Sequence, residues 1–204
     1  MEQLIPQLTS RMTEDDYLRM EEGANTKHEF RNGKIIDMAG ATPAHVGIAT
    51  NLAIEIGVRL KGKSCRIYGT DLRVRVNKSG SYCYPDLTVV CGPLEYARPD
   101  QQMTIVNPRI VIEVTSPSTE AIDRGGKFTD YRRIDSLEEY FLVSQERAEV
   151  ETFYRQPDGV WAIGPTVVGQ DQSVKFRSLG IEISLSEIYA GIELPTAQAK
   201  AEQA

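Results

Sequence analysis

Two short runs, Leu87-Thr-Val-Val-Cys91 and Ile110-Val-Ile-Glu-Val114, are almost unbroken stretches of aliphatic and β-branched residues. Strands of that composition are covered on both faces, so they belong at the centre of a sheet with further structure packed on each side. Each run is associated with an acid. Asp86 follows Pro85 and immediately precedes the first run, and Glu113 lies inside the second, 27 residues later. An ionised carboxylate taken out of water costs several kcal/mol, roughly, unless a cation or hydrogen-bond donors offset it. If the two strands are neighbours, the acids converge on one hard cation such as Mg²⁺, which takes oxygen ligands and is usually held by one or two carboxylates with several waters retained. The competing reading is a strand-opening Asp that forms a turn and a Glu that pairs with a nearby arginine.

The remaining elements fit around these strands. Thr13-Glu-Asp-Asp has the form of a capping box and predicts a short helix ending near Gly23. Asn32-Gly33, between His28-Glu-Phe-Arg and Lys34-Ile-Ile-Asp-Met38, predicts a β-hairpin. Thr42-Pro43 opens the best helical pattern, expected over 43–61, with Ala49, Leu52, Ala53, Ile56 and Leu60 at helical spacing. Strands are expected at 66–68, 72–76, 140–143, 150–155 and 160–163, with a short helix over 123–134. The stretch 92–108 contains three prolines and reads as a mobile surface loop. The expectation is one α/β domain over 1–194, built on a central mixed, curved sheet flanked by helices, with a disordered tail over 195–204.

Composition narrows the function. No apolar run approaches the ~20 residues of a spanning helix, and acids occupy the first thirty residues where a signal peptide would be basic and then apolar, so a cytoplasmic protein is expected. Cys65, Cys83 and Cys91 show no CxxC spacing and are expected as buried, reduced thiols. The net charge of −6 disfavours a phosphate-rich partner, but its distribution does not. Residues 31–133 carry 15 basic and 10 acidic side chains, whereas residues 1–30 carry 3 and 7 and residues 134–204 carry 5 and 12. Within the basic part, Arg73 and Arg75 alternate along one strand face as candidate phosphate contacts, and Tyr68, Tyr82 and Tyr84 are weaker candidates for base stacking. Ser116-Pro-Ser118 lacks a G-x-S-x-G elbow, which removes a serine hydrolase from consideration.

Taken together, Tyr84-Pro-Asp86, Ile112-Glu-Val-Thr-Ser-Pro-Ser-Thr119, Asp123-Arg-Gly-Gly-Lys127, Tyr131-Arg and Glu138-Glu-Tyr-Phe-Leu-Val143 resemble the Uma family of restriction endonucleases, part of the PD-(D/E)XK nuclease superfamily. That resemblance implies a restriction-endonuclease-like fold, Mg²⁺ as cofactor with Mn²⁺ as a substitute, and DNA as substrate. It implies Asp86 and Glu113 as metal and catalytic acids, with the Val114 carbonyl as a further metal ligand and Lys127 as the catalytic lysine. The superfamily lysine usually stands two residues after the acid, where this chain has Thr115. Lys127 therefore serves only if its helix folds back over the strand end. The resemblance also implies possible roles for Glu29, before the hairpin turn, and His45, near the start of the long helix.

The function expected is a metal-dependent DNA endonuclease, working as a homodimer by analogy with restriction-type nucleases that cut two strands. Two alternatives stay open. One is a non-catalytic module on the same fold that grips nucleic acid or a protein, and the other is an enzyme acting on a small phosphorylated molecule.

Overall fold

The computed structural model describes residues 12–38, 40–76, 78–117, 120 and 122–195, so the expected tail over 195–204 lies almost wholly outside the described residues. In chain order the elements begin with helix α1 (Glu14–Glu22), strands β1 (His28–Arg31) and β2 (Lys34–Asp37), and the long helix α2 (Pro43–Arg59). Next come β3 (Cys65–Gly69), β4 (Arg73–Val76), β5 (Ser81–Cys83), β6 (Leu87–Cys91), β7 (Tyr96–Arg98), β8 (Gln101–Ile105) and β9 (Ile110–Thr115). A π-helical turn, Ile122–Lys127, runs directly into α3 (Phe128–Tyr131). They are followed by β10 (Glu139–Ser144), β11 (Glu149–Arg155), β12 (Trp161–Ile163), β13 (Val167–Val168), β14 (Ser173–Phe176), β15 (Ile181–Ser184) and α4 (Leu185–Ile188).

The expected mixed α/β architecture flanked by helices is present, and among the described residues its strands are divided between two large sheets. The first runs β2-β1-β5-β4-β8-β7 and the second β12-β11-β10-β9-β6-β3, with β13 beside β11. Both are mixed: β4 with β8 and β9 with β10 are parallel, and the other pairs are antiparallel. Alternation along β9 explains how the layers stack. Ile110, Ile112 and Val114 join a core with Ile48, Leu52 and Ile56 of α2, Phe141 and Val143 of β10, and residues of β14, β15 and α4. Val111 joins a second core lying between the sheets, with Val74, Cys83, Tyr131, Tyr140 and Leu142. A third small core places Tyr17 and Leu18 of α1 on Phe30 and Tyr82, on the outer face of the first sheet.

Local signals account for most boundaries. The Thr13 side chain accepts from the Asp16 amide while the Asp16 carboxylate accepts from the Thr13 amide, the reciprocal box that starts α1. Asn32 and Gly33 have φ values of 54° and 78°, the pair of positive angles that a two-residue hairpin turn requires. Thr42 caps α2 by accepting from the His45 amide at 3.1 Å, with Pro43 in the first turn.

Two expectations are corrected. The stretch 92–108 is a β-hairpin, β7 with β8, and β8 extends the first sheet through parallel pairing with β4. Cys65 and Cys91 are joined in a disulfide instead of standing as reduced thiols, and only Cys83 is a free buried thiol among the described residues. The bridge follows from register. Cys65 and Cys91 sit directly opposite each other on the antiparallel strands β3 and β6 with Cα atoms 3.9 Å apart, a proximity that their sequence separation of 26 conceals. No described helix is long and apolar enough to cross a membrane.

The C-terminal hairpin and α4 are fastened to α2 by Arg59, which reaches Glu187 at 2.7 Å while also binding Glu55. Bonds from Arg59 and from the Ser184 amide and hydroxyl hold the Glu187 carboxyl below its ordinary 4.5, at about 2. Because the folded value is depressed, this clamp stabilises the protein above pH ~4.5 and is lost as pH falls toward 2. Glu187→Gln is expected to flatten that acid limb in urea unfolding followed from pH 6 to pH 2. The pair is partly exposed, so the loss at neutral pH should be under about 1 kcal/mol.

Candidate active site

The acid-bearing strands are neighbours: β6 pairs with β9 through Leu87 opposite Ile112. Asp86 stands at the mouth of β6, where its two oxygens are held separately. Oδ2 accepts from the Val114 amide at 2.7 Å and Oδ1 lies 2.9 Å from Nε2 of His45. The amide and carbonyl of a strand residue point to the same side. The Val114 amide is directed at Asp86, so the Val114 carbonyl faces the same opening beyond the end of β6.

Glu113 shares the inward face of β9 with Val111 and is 3% exposed. Its Oε1 accepts from the Tyr131 hydroxyl at 2.9 Å and from Nζ of Lys127 at 3.2 Å. Lys127 reaches Glu113 because β9 and β10 are parallel, and a parallel pair must be joined by a crossover lying on one sheet face. Here the crossover is the π-turn and α3, which lie on the Glu113 face. Gly126 allows close packing there, since a Cβ at that position would come within 2.7 Å of the Arg31 guanidinium. The same ammonium is 3.2 Å from Glu29, on β1 of the other sheet, and 3.4 Å from Asp123, at the start of its own turn. Glu29, at 3% exposure, also accepts from the Tyr84 amide at 3.3 Å. Glu113, Lys127 and Glu29 thus meet between the sheets, and Asp86, bound to His45, lies near enough for its charge to act on Glu113.

Electrostatics follow from this crowding. Burial, aided by the negative charges of Asp86, Asp123 and Glu29, pushes the Glu113 carboxyl well above the usual carboxylate range, against the pull of Lys127. Burial disfavours the Lys127 ammonium as well, yet Glu113, Glu29 and Asp123 together hold it well above the ordinary lysine value. One ammonium therefore faces three carboxyl groups at 3.2–3.4 Å. Among the described residues, no three His, Cys, Asp or Glu side chains already form a metal cage. The donor set nevertheless fits a hard divalent cation: it is all oxygen, and it offers more carboxyl groups than the one ammonium among them can pair with in full.

Two contributors, Asp123 and Tyr131, carry the family resemblance in the sequence but received no role from it. Asp123 stands four residues before Lys127 and Tyr131 four after it, spacings that place side chains on one face of a helical segment. That periodicity was the available signal.

Arg73 and Arg75 have other occupations. Arg73 is 5% exposed, its Nε donates to Thr104 Oγ1 at 2.7 Å, and its guanidinium lies 5.4–5.8 Å from the ring centres of Tyr17, Tyr82 and Tyr84. Arg75 binds Glu14 at 2.9 Å and the Tyr82 hydroxyl at 3.1 Å. The expectation that these arginines present a free face to phosphate is corrected, because α1 covers that face of β4. The tyrosines are packing partners of Arg73, and burial lifts the Tyr84 phenol to about 12 despite the arginine. Arg73→Met should cost about 2–3 kcal/mol in urea unfolding through lost charged hydrogen bonds and cation–π contact.

Comparison with known proteins agrees with this architecture. A solved structure from Anabaena variabilis, described as a "putative nuclease belonging to DUF820", superposes with a TM-score of 0.72 over 89% of this chain and 99% of that one, at 16% identity, a likeness of fold. Two uncharacterized proteins of Synechocystis sp., slr1290 and sll1609, are 34% and 31% identical over 89% and 87% of this chain and 93% and 99% of their own lengths. The Uma2 family model, described as "Putative restriction endonuclease", matches residues 14–190, which span both sheets and every residue of the buried cluster. The chain belongs to the Uma2 family.

Proposed function

We propose that this protein is a metal-dependent endonuclease that hydrolyses DNA phosphodiester bonds, with Mg²⁺ as cofactor and Mn²⁺ as a working substitute. The observation that carries the reading is the Lys127 ammonium at 3.2 Å from Glu113, brought there by the crossover, in a chain whose family is described in terms of restriction endonucleases. Asp86, Glu113 and the Val114 carbonyl would hold the cation. When bound, it supplies Lewis acidity toward the scissile phosphodiester and lowers the pKa of water.

The chain's own groups perform the remaining work. His45 and the Val114 amide fix both oxygens of Asp86, so that carboxylate is preorganised. Tyr131 fixes the Oε1 side of Glu113. Lys127 orients the attacking water and stabilises negative charge developing on the phosphoryl oxygens. Glu29 anchors the ammonium from the opposite sheet.

The test is cleavage of supercoiled plasmid and of single-stranded circles under titrated Mg²⁺ and Mn²⁺ at matched salt. Asp86→Ala and Glu113→Gln are each expected to lower the rate by about 10²-fold or more while melting near the wild-type temperature. Full cleavage by either variant would remove its residue from the machinery. If the wild-type protein binds DNA in a salt-sensitive manner that Asp86→Ala shares, and never cuts, the fold serves as a binding module instead.

A further inference from the structure

Lys127 has three carboxylate neighbours, and they are not equivalent. Glu113 is one of the acids assigned to the cation, and Glu29 comes from β1 of the other sheet. Asp123 belongs to the same six-residue π-turn as the lysine, so it travels with Lys127 whatever the sheets do. The turn itself is pinned, because the Tyr140 hydroxyl donates to the Asp123 carbonyl at 3.0 Å and Tyr140 is fully buried on β10. The Asp123 side chain is 4% exposed. Lys127 is the cation it meets among the described residues, so each group satisfies the other's need for a partner out of water.

We infer that Asp123 is a positioning residue: it holds the Lys127 ammonium in place once Glu113 is drawn to a cation. This rests on the metal-dependent reading above. Once Glu113 is drawn away, Glu29 holds the ammonium only from the opposite sheet, and without Asp123 the lysine stem would regain rotamer freedom and the ammonium would lose part of its aim. A π-helical turn suits the task, since its wide ring places Asp123 and Lys127 on the cluster side while the exposed Gly125 stays outside. Asp123 acts through Lys127 and takes no part in holding the metal.

A double-mutant cycle with Asp123→Asn and Lys127→Gln tests this in two readouts. In single-turnover plasmid cleavage at saturating Mn²⁺, Asp123→Asn should slow cutting about tenfold, as loss of an outer positioning partner typically does. It should leave the Mn²⁺ concentration for half-maximal binding unchanged, and it should have no further effect once Lys127→Gln is present. Asp123→Glu, which keeps the charge, should recover most of the rate. In urea unfolding, the two substitutions should be non-additive both without metal and at saturating Mn²⁺. If the Lys127 variant does not fold, the comparison of Asp123→Asn with Asp123→Glu for rate and Mn²⁺ affinity decides alone. Equal slowing in both lysine backgrounds, a shifted Mn²⁺ affinity, or coupling that disappears when Mn²⁺ binds would each overturn the assignment. Absence of cleavage by the wild type would instead overturn the nuclease reading, while the unfolding cycle in Mn²⁺ would still decide whether Asp123 keeps the lysine.

Discussion

A single ammonium, that of Lys127, lies among three buried carboxylates drawn from three parts of the chain, and much of the architecture can be understood as what that contact requires. Glu29 must come from the first sheet, Glu113 from the second, and Asp123 from the crossover between β9 and β10. Removing the lysine would leave its buried carboxylates uncompensated, which costs far more than the intact cluster contributes. The cluster is therefore weak as a source of stability and strong as a constraint. It ties the two sheets in one relative placement and sets the π-turn over the face of β9.

The two central acids are treated differently by the fold. Asp86 is anchored by a backbone amide and an imidazole, both fixed by strand and helix ends. Glu113 is buried, with Oε1 held by Tyr131 and Lys127 and with the negative charges of Asp86, Asp123 and Glu29 nearby.

Much of this was legible in the chain itself. The apolar runs around Asp86 and Glu113 identified central strands, and the caps and hairpin turn located α1, α2 and the β1–β2 pair, because those signals are local. What escaped was set by contacts distant in sequence. The alternation of Arg73 and Arg75 is identical for a solvated face and for one covered by another element, and only the docking of α1 decides between them. The β7–β8 hairpin is rich in polar residues because its pairing with β4, not its composition, makes it a strand pair. The C-terminal hairpin and α4 are too short to show a period, yet Val174, Phe176, Ile183 and Leu185 complete the core under α2. Within the buried cluster, Lys127 could be singled out only through the family resemblance, since nothing local in its helix announces it.

The Cys65–Cys91 bridge has its two ends on the second sheet, but the chain between them contains β4 and β5 of the first. The covalent loop thus threads one sheet through an anchor on the other. On a chain-entropy account, closing a loop of that length restricts the unfolded ensemble by about 3–4 kcal/mol. Its larger effect concerns partial opening: strands that come apart remain leashed beside their partners at high local concentration and re-pair intramolecularly. Without the bridge, the two sheets still share their packed core, the Lys127 ammonium, and the bonds from Arg31 and Ser81 to Asp130 on α3.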